Sequence, residues 1–329
     1  MTSIEHCAPC TTLEQRLEFD YERGAVRLAT LDALTPLAQQ VTTSDSPGDE
    51  SSSSSTALRC PGCGTIYSAQ RSTDPGHSFM DPTHDTESVT RLTLHGARAF
   101  LSRFTEPAAA VASDELESRE GVVLDELSTM LGTPGRAPTW HVQRFALECL
   151  TDAFLTRRDH ERLERLLLRH EDPVVRVEVA SDLVDAAFSP WEGWKKRAAT
   201  ECLEGGRVLP VLAAVLREPR RDTWRFSSDF HGYRQETTHC TAARSVGRAA
   251  YHGATLDDAL VDRLVLLLAQ GEAEHFHALG ALSSALGRSP TLARRLLPVL
   301  HALPAATLAR ERTSDLLSLA AREAAKVTA

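Results

Sequence analysis

Lysine is nearly missing from this chain of 329 residues. Lys195, Lys196 and Lys326 are the only three among 36 basic side chains, and arginine supplies the rest. With so much alanine and leucine, that bias fits a GC-rich genome and says little about function. Apolar runs of roughly 18 residues are lacking too, which argues against a membrane-spanning helix. The opening stretch, MTSIEHCAPCTTLEQ, has neither the basic nor the apolar region of a secretory leader. A cytoplasmic protein with reduced cysteines is therefore expected. No G-x-S-x-G, H-E-x-x-H, Walker A or G-x-G-x-x-G motif occurs, so no catalytic residue is nominated and an enzyme is not expected. An excess of positive charge is lacking as well. Residues 1–139 hold 10 Arg, no Lys and 20 acidic side chains, a net of −10. Residues 140–329 hold 26 basic and 25 acidic side chains, a net of +1. Bulk attraction to nucleic acid or anionic lipid is not expected, least of all from the front.

The length suggests about two domains. The first hundred residues read as β-rich and broken. Leu17, Phe19 and Tyr21 recur at period two, and a turn containing Gly24 precedes a second short apolar run, so residues 17–29 read as a hairpin. Residues 42–57 include five consecutive serines and almost nothing large and apolar, and they read as a disordered insertion. Residues 71–88 read as a second loop. Near residue 93 the pattern turns helical, with Thr93 as the expected N-cap. Leu116, Val123, Leu124, Leu127 and Leu131 then share one helical face, and residues 113–121 read as its solvated start. Strand signals are scarce beyond residue 100.

Two Cys-x-x-Cys pairs stand in the front region, Cys7 with Cys10 and Cys60 with Cys63. Four thiolates are enough to close a tetrahedral structural Zn²⁺ site. The 49 residues between Cys10 and Cys60 exceed the usual ribbon spacing. Loop length costs only about 0.6 kcal/mol per doubling, so an insertion is tolerable. In CPGCG, Gly62 and Gly64 permit a tight turn around the sulfurs, and the stretch resembles a zinc-ribbon knuckle. A redox pair is the alternative, but no thioredoxin-like βαβ pattern surrounds either motif. Cys149, Cys202 and Cys240 lie singly in helical patterns and read as buried thiols. The histidine pair His275 and His277, at i and i+2, points to different helix faces and makes a poor metal site.

Helical segments recur along the rest of the chain. In EDPVVRVEVASDLV, Asp172 is the expected N-cap, Pro173 sits at N1, and Val175, Val179 and Leu183 follow at i, i+4 and i+8. Arg244 stands 68 residues after Arg176, two units of about 34, and FHALGALSSALGR follows one unit later. These segments resemble HEAT repeats: a D-P-x-V-R start, small residues at the neighbour contact and a terminal leucine. The resemblance covers roughly residues 105–329 and is strongest over 171–187. It implies a mainly α fold, a HEAT-like α-solenoid of stacked helix pairs preceded by a small β-rich zinc-ribbon-like domain. It also implies that Arg176 and Arg244 pack or ion-pair between units. The expected domains are 1–95, zinc-ribbon-like with the insertion at 42–57, and 96–329, helical repeats.

The unit expected near residue 210 is degraded and carries the one concentrated aromatic and basic region. Trp191, Trp194, Trp224 and Tyr233 are interleaved there with Arg220, Arg221 and Arg225. A long connection of this composition reads either as a partner-binding surface or as filling between irregular repeats. The leading functional expectation is a non-enzymatic protein-binding scaffold with one structural Zn²⁺. The alternatives are a nucleic-acid-binding protein or a HEAT-like DNA glycosylase using residues 189–240.

Overall fold

A computed structural model describes residues 7–13, 16–20, 29–43, 52–74, 84–133, 139–190, 193–229, 232–310 and 312–326. The chain is mainly helical, with a small antiparallel sheet near its N-terminus. It divides into two compact units, Met1–Ala153 and Phe154–Ala329. Residues 96–153, expected with the helical repeats, therefore cluster with the sheet.

In the first unit, α1 (Ala8–Thr12), β1 (Arg16–Asp20) and α2 (Ala29–Asp32) precede four further strands: β2 (Thr35–Thr43), β3 (Ser52–Arg59), β4 (Ile66–Asp74) and β5 (His84–Arg91). The strand order is β1-β5-β4-β3-β2, antiparallel throughout. Of the expected hairpin over 17–29, the described strand is β1. Its register runs Leu17 to Val89 and Phe19 to Glu87, on β5, and residues 21–28 lie outside the described residues.

The serine-rich insertion expected over 42–57 is corrected over 42–43 and 52–57, which are strand, and residues 44–51 lie outside the described residues. Ser52–Ser55 belong to β3, pairing with Thr43 to Gln40 on one side and Thr73 to Gln70 on the other. With neighbours on both sides, the backbone polar groups are satisfied by the ladder, and large apolar side chains are not required. Buried Ala57 and Leu58 anchor the end of the strand. Of the second expected loop, 71–88, residues 71–74 and 84–88 are the facing ends of β4 and β5, and residues 75–83 lie outside the described residues.

Alternation decides what each face of the sheet covers. Ala38, Ala57 and Ile66 pack with Ala97, Phe100 and Leu101 of α3 (Leu94–Leu101) and with Ala109 and Ala112 of α4 (Pro107–Gly132). Thr93 caps α3 as expected, its hydroxyl accepting from Gly96 N–H at 3.1 Å. The long α4 begins at Pro107, so residues 113–121 lie inside it and not at its start. After it comes α5 (Trp140–Thr156).

The second unit continues with α6 (His160–Leu163), which runs into one π turn over Glu164–Leu168, then α7 (Pro173–Ala187), α8 (Trp194–Glu204) and α9 (Leu209–Val215). Asp172 caps α7 through Val174 N–H at 2.9 Å, with Pro173 at the start. A hairpin follows where only a connection was expected: β6 (Asp222–Asp229) pairs with β7 (Gly232–Thr237). Then come α10 (Thr238–Tyr251), α11 (Asp258–Leu267), α12 (Glu272–Leu286), α13 (Pro290–His301), α14 (Ala305–Leu308) and α15 (Thr313–Ala325). α7 packs on α10, α10 on α12 and α12 on α15. At Gly247 a Cβ would stand 2.9 Å from the Ala281 Cα, so α10 and α12 touch backbone to backbone, 34 residues apart in sequence. Among the described residues no helix is long and apolar enough to cross a membrane.

Candidate metal centre

Four cysteines converge in the first unit. Cys7 is the N-cap of α1 and Cys10 sits three residues on, and this spacing puts both sulfurs on one side of a helical turn. Cys60 and Cys63 lie on the turn between β3 and β4. There Gly64 N–H donates to the Cys60 carbonyl, and Cys60 N–H to the Thr65 carbonyl, both at 2.9 Å. Gly64 closes the turn with φ of +82°, a conformation that favours glycine. Gly62 is not among the positive-φ glycines, so Gly64 carries the turn that both glycines were expected to share.

The sulfurs of Cys7 and Cys60 stand 3.3 Å apart, as do those of Cys10 and Cys63. All four lie within 4.8 Å of one another. An ideal tetrahedral ion with metal–sulfur bonds near 2.3 Å sets its sulfurs about 3.8 Å apart. The observed separations bracket that value, and they are far too long for disulfides. The donor set therefore fits a single metal ion. Cys7, Cys10 and Cys60 are buried and Cys63 is partly exposed.

The surroundings are built for clustered negative charge. The Tyr67 hydroxyl donates to Cys10 Sγ at 3.1 Å, and the Thr65 hydroxyl lies 3.1 Å from Cys63 Sγ. Arg91, only 1% exposed, donates from Nε to the Tyr67 hydroxyl at 3.2 Å. Its Nη2 donates to the carbonyls of Cys10 at 2.5 Å and Leu13 at 2.7 Å. Arg91 thus ties β5 to the helical turn that carries two of the sulfurs, and its charge lies one hydrogen bond behind the cluster.

Without a cation the thiols must share protons. Hydrogen bonds to Cys60 and Cys63, then burial, hold the Cys10 thiol far above its ordinary range. Hydrogen bonds from Cys10 and Cys63 hold Cys60 far below it. Metal binding would expel the remaining protons and end this conflict.

Sequence reasoning nominated all four cysteines and missed Tyr67 and Arg91. Tyr67 stands just past the knuckle. Arg91 shows in sequence only as a period-two continuation of Val89 on a buried strand face.

The aromatic and basic region divides. Trp191 lies outside the described residues, as does the side chain of Tyr233. Trp194 begins α8, half-buried. Arg220 and Arg221 are exposed beside Glu274 at 3.5 Å and Asp172 at 3.8 Å. Trp224 and Arg225, nominated as partner-binding, face inward instead. Trp224 is 8% exposed, and its backbone N–H donates to Glu178 Oε1 at 3.2 Å. Arg225 ion-pairs with Glu178 at 2.7 Å, with Asp182 and with Asp185 at 3.5 Å. These carboxylates recur at i, i+4 and i+7 on α7, and they make a cradle for one guanidinium.

The lone cysteines are buried, as expected: Cys149 at 1% exposure, Cys202 at 0% and Cys240 at 1%. Burial pushes the thiols of Cys202 and Cys240 up to about 11, which makes them unreactive. His275 is a satisfied core histidine, with Nδ1 2.8 Å from the Leu268 carbonyl and Nε2 3.3 Å from the Thr313 hydroxyl. Arg176 pairs with Glu218, and Arg244 with Glu236 at 2.9 Å. Comparison of the chain with protein-family models, with curated proteins and with solved structures finds no match.

Proposed function

We propose that the protein is a non-enzymatic scaffold. One Zn²⁺ on Cys7, Cys10, Cys60 and Cys63 staples the front unit, and a HEAT-like solenoid of helix pairs holds a partner protein. The observation that carries the metal reading is the closed donor set: four sulfurs within 4.8 Å, three of them buried. A set of four thiolates fills the tetrahedron and leaves no position for an activated water, so the ion's role is to hold the fold. The cavity beside Cys63 is about 50 Å³, room for a few waters and no substrate. A set of four sulfurs also suits iron, so the identity of the metal is part of the test. The solenoid reading draws support from the succession α7, α10, α12, α15, each packed on the next, and from the 34-residue offset at the Gly247–Ala281 contact. The nucleic-acid and glycosylase readings lose their best residues, because Trp224 and Arg225 face inward and Arg225 is spent on three carboxylates.

Elemental analysis of the purified protein should give one zinc per chain in a colourless solution. Iron with visible charge-transfer absorption, or no metal at all, would remove the zinc. Affinity capture of crosslinked complexes should return a defined protein partner. A salt-dependent mobility shift with short DNA or RNA would instead favour a nucleic-acid role.

A further inference from the structure

A groove of about 600 Å³ opens between α10 and α12 at the start of α15. Among the described residues, the two exposed aromatic side chains both border it. They are Tyr251, 62% exposed at the end of α10, and Phe276, 46% exposed on α12. Small residues line it between them. Gly247 presses α10 against Ala281, whereas a side chain added at Gly280 would meet nothing within 4 Å. Gly280 therefore opens onto the groove's free space.

The groove is basic, although the whole chain carries −9. Arg244, Arg248 and Arg312 line it against the single carboxylate of Asp315. Arg244 and Arg248 each direct one nitrogen to a carboxylate, Glu236 at 2.9 Å and Asp185 at 2.7 Å. Nη2 of Arg244 is buried with no hydrogen-bond partner. Arg312 caps α15 in the left-handed region, exposed. Arg288, whose guanidinium lies 5.8 Å from the Tyr251 ring centroid, is exposed as well. Neither Arg288 nor Arg312 ion-pairs with a carboxylate among the described residues.

We propose that this groove binds an acidic, leucine-bearing segment of a partner protein. Exposed rings of this kind are recurrent anchors for apolar side chains, and unpaired guanidiniums take carboxylates at the rim. The volume suits a few side chains and not a whole domain. Two unpaired cations are too few to track a nucleic-acid backbone on an acidic protein. This inference rests on the scaffold reading and names its surface and the chemistry of its partner.

The test uses the full-length protein and a fluorescein-labelled peptide of glutamate and leucine, read by anisotropy. The peptide should bind, and more weakly as salt rises. A peptide with lysine in place of glutamate should not bind, nor should single-stranded DNA of equal charge. Gly280→Leu puts a side chain into the groove, its Cβ meeting nothing within 4 Å, and should abolish binding while thermal stability is not lowered. Arg288→Glu, on the surface, should weaken binding about tenfold, the loss of one good contact. Equal binding of the DNA or the lysine peptide overturns the proposal, as does no binding at all or unchanged affinity in both variants. A captured partner protein that binds wild type and Gly280→Leu alike would also overturn the groove, and would leave the scaffold standing.

Discussion

Around one point in Met1–Ala153 the chain gathers four cysteines, a buried tyrosine and a buried arginine. Phe154–Ala329 buries a leucine from most of its helices: Leu183, Leu212, Leu264, Leu282, Leu296 and Leu316 are each at most 1% exposed. The apolar cluster against the sheet is made mainly of alanines, with Ile66, Phe100 and Leu101 as its large members. Beyond that cluster the front unit also buries Leu13, Leu31, Tyr67, Leu127, Met130 and Leu147, each at most 2% exposed, so it too draws on burial at about 25 cal/mol per Å². Both units bury apolar side chains; among the described residues the front unit alone also gathers four cysteines. On the metal reading the front unit rests on coordination as well as packing and the helical unit on packing alone, so the two should respond differently to metal removal.

Metal removal should separate them most sharply. Structural zinc in small domains contributes roughly 10–16 kcal/mol of apparent binding free energy, as much as the whole net stability of a typical domain. A strong chelator, or Cys60→Ser, should make residues 1–153 protease-sensitive, while helical circular dichroism from residues 154–329 persists. A front unit that still resists protease after losing its metal would show that packing alone suffices there.

How far this contrast was legible in the sequence depends on where the stabilising groups sit. The four cysteines were readable because Cys-x-x-Cys is local. The cap of Asp172 on α7 and that of Thr93 on α3 were readable for the same reason, each bonding within three residues. The strand at Ser52–Ser55 was not, because its partners come from Gln40–Thr43 and Gln70–Thr73, and serine itself carries no strand preference. Arg91 was hidden similarly: its carbonyl partners on Cys10 and Leu13 are 81 and 78 residues away in sequence. The β6–β7 hairpin was mistaken for a connection because composition marked Trp224 and Arg225 as surface groups. The carboxylate ladder of α7 is what draws Arg225 inward.

That ladder gives the next sharpest test, now on the packed unit. Glu178 is 2% exposed at its side chain and Arg225 is 13% exposed. Burial alone would lower the Arg225 pKa, but Asp182, Glu178 and Asp185 outweigh it and hold the guanidinium charged. Arg225→Met leaves a carboxylate buried without its cation, which typically costs about 3–5 kcal/mol. Urea unfolding of the helical unit should shift accordingly, with zinc content unchanged. Adding Glu178→Gln to Arg225→Met should recover part of the loss. A shift under 1 kcal/mol in the single variant would mean that solvent already screens the cradle.

Arg91→Met probes the coordinated unit more gently, since every ligand remains. Groups one bond behind the ligands usually carry 10–100-fold in metal affinity. Competition with a chromogenic chelator should show weaker zinc binding in that range. Tyr67→Phe, which removes only the hydroxyl on Cys10, should have a smaller effect in the same direction. Unchanged affinity in both variants would confine the coordination energy to the four sulfurs.

The smallest expected effect belongs to His252, stacked on Phe188 with ring centroids 4.2 Å apart and planes 5° from parallel. Partial burial against that ring, then the charges of Arg248, Arg288 and Lys196, lower its pKa below the ordinary 6.5. Above that ordinary value both folded and unfolded chains hold the imidazole neutral, and it contributes no pH dependence. As pH falls below it, the unfolded chain takes up the proton first, so the helical unit loses stability until the folded pKa is also passed. The front unit has no part in this titration, so the slope should appear in the unfolding of residues 154–329 alone. An NMR titration should place the His252 midpoint below 6.5, and Arg288→Gln should raise it. A midpoint at or above 6.5 would mean that these cations do not act on the ring.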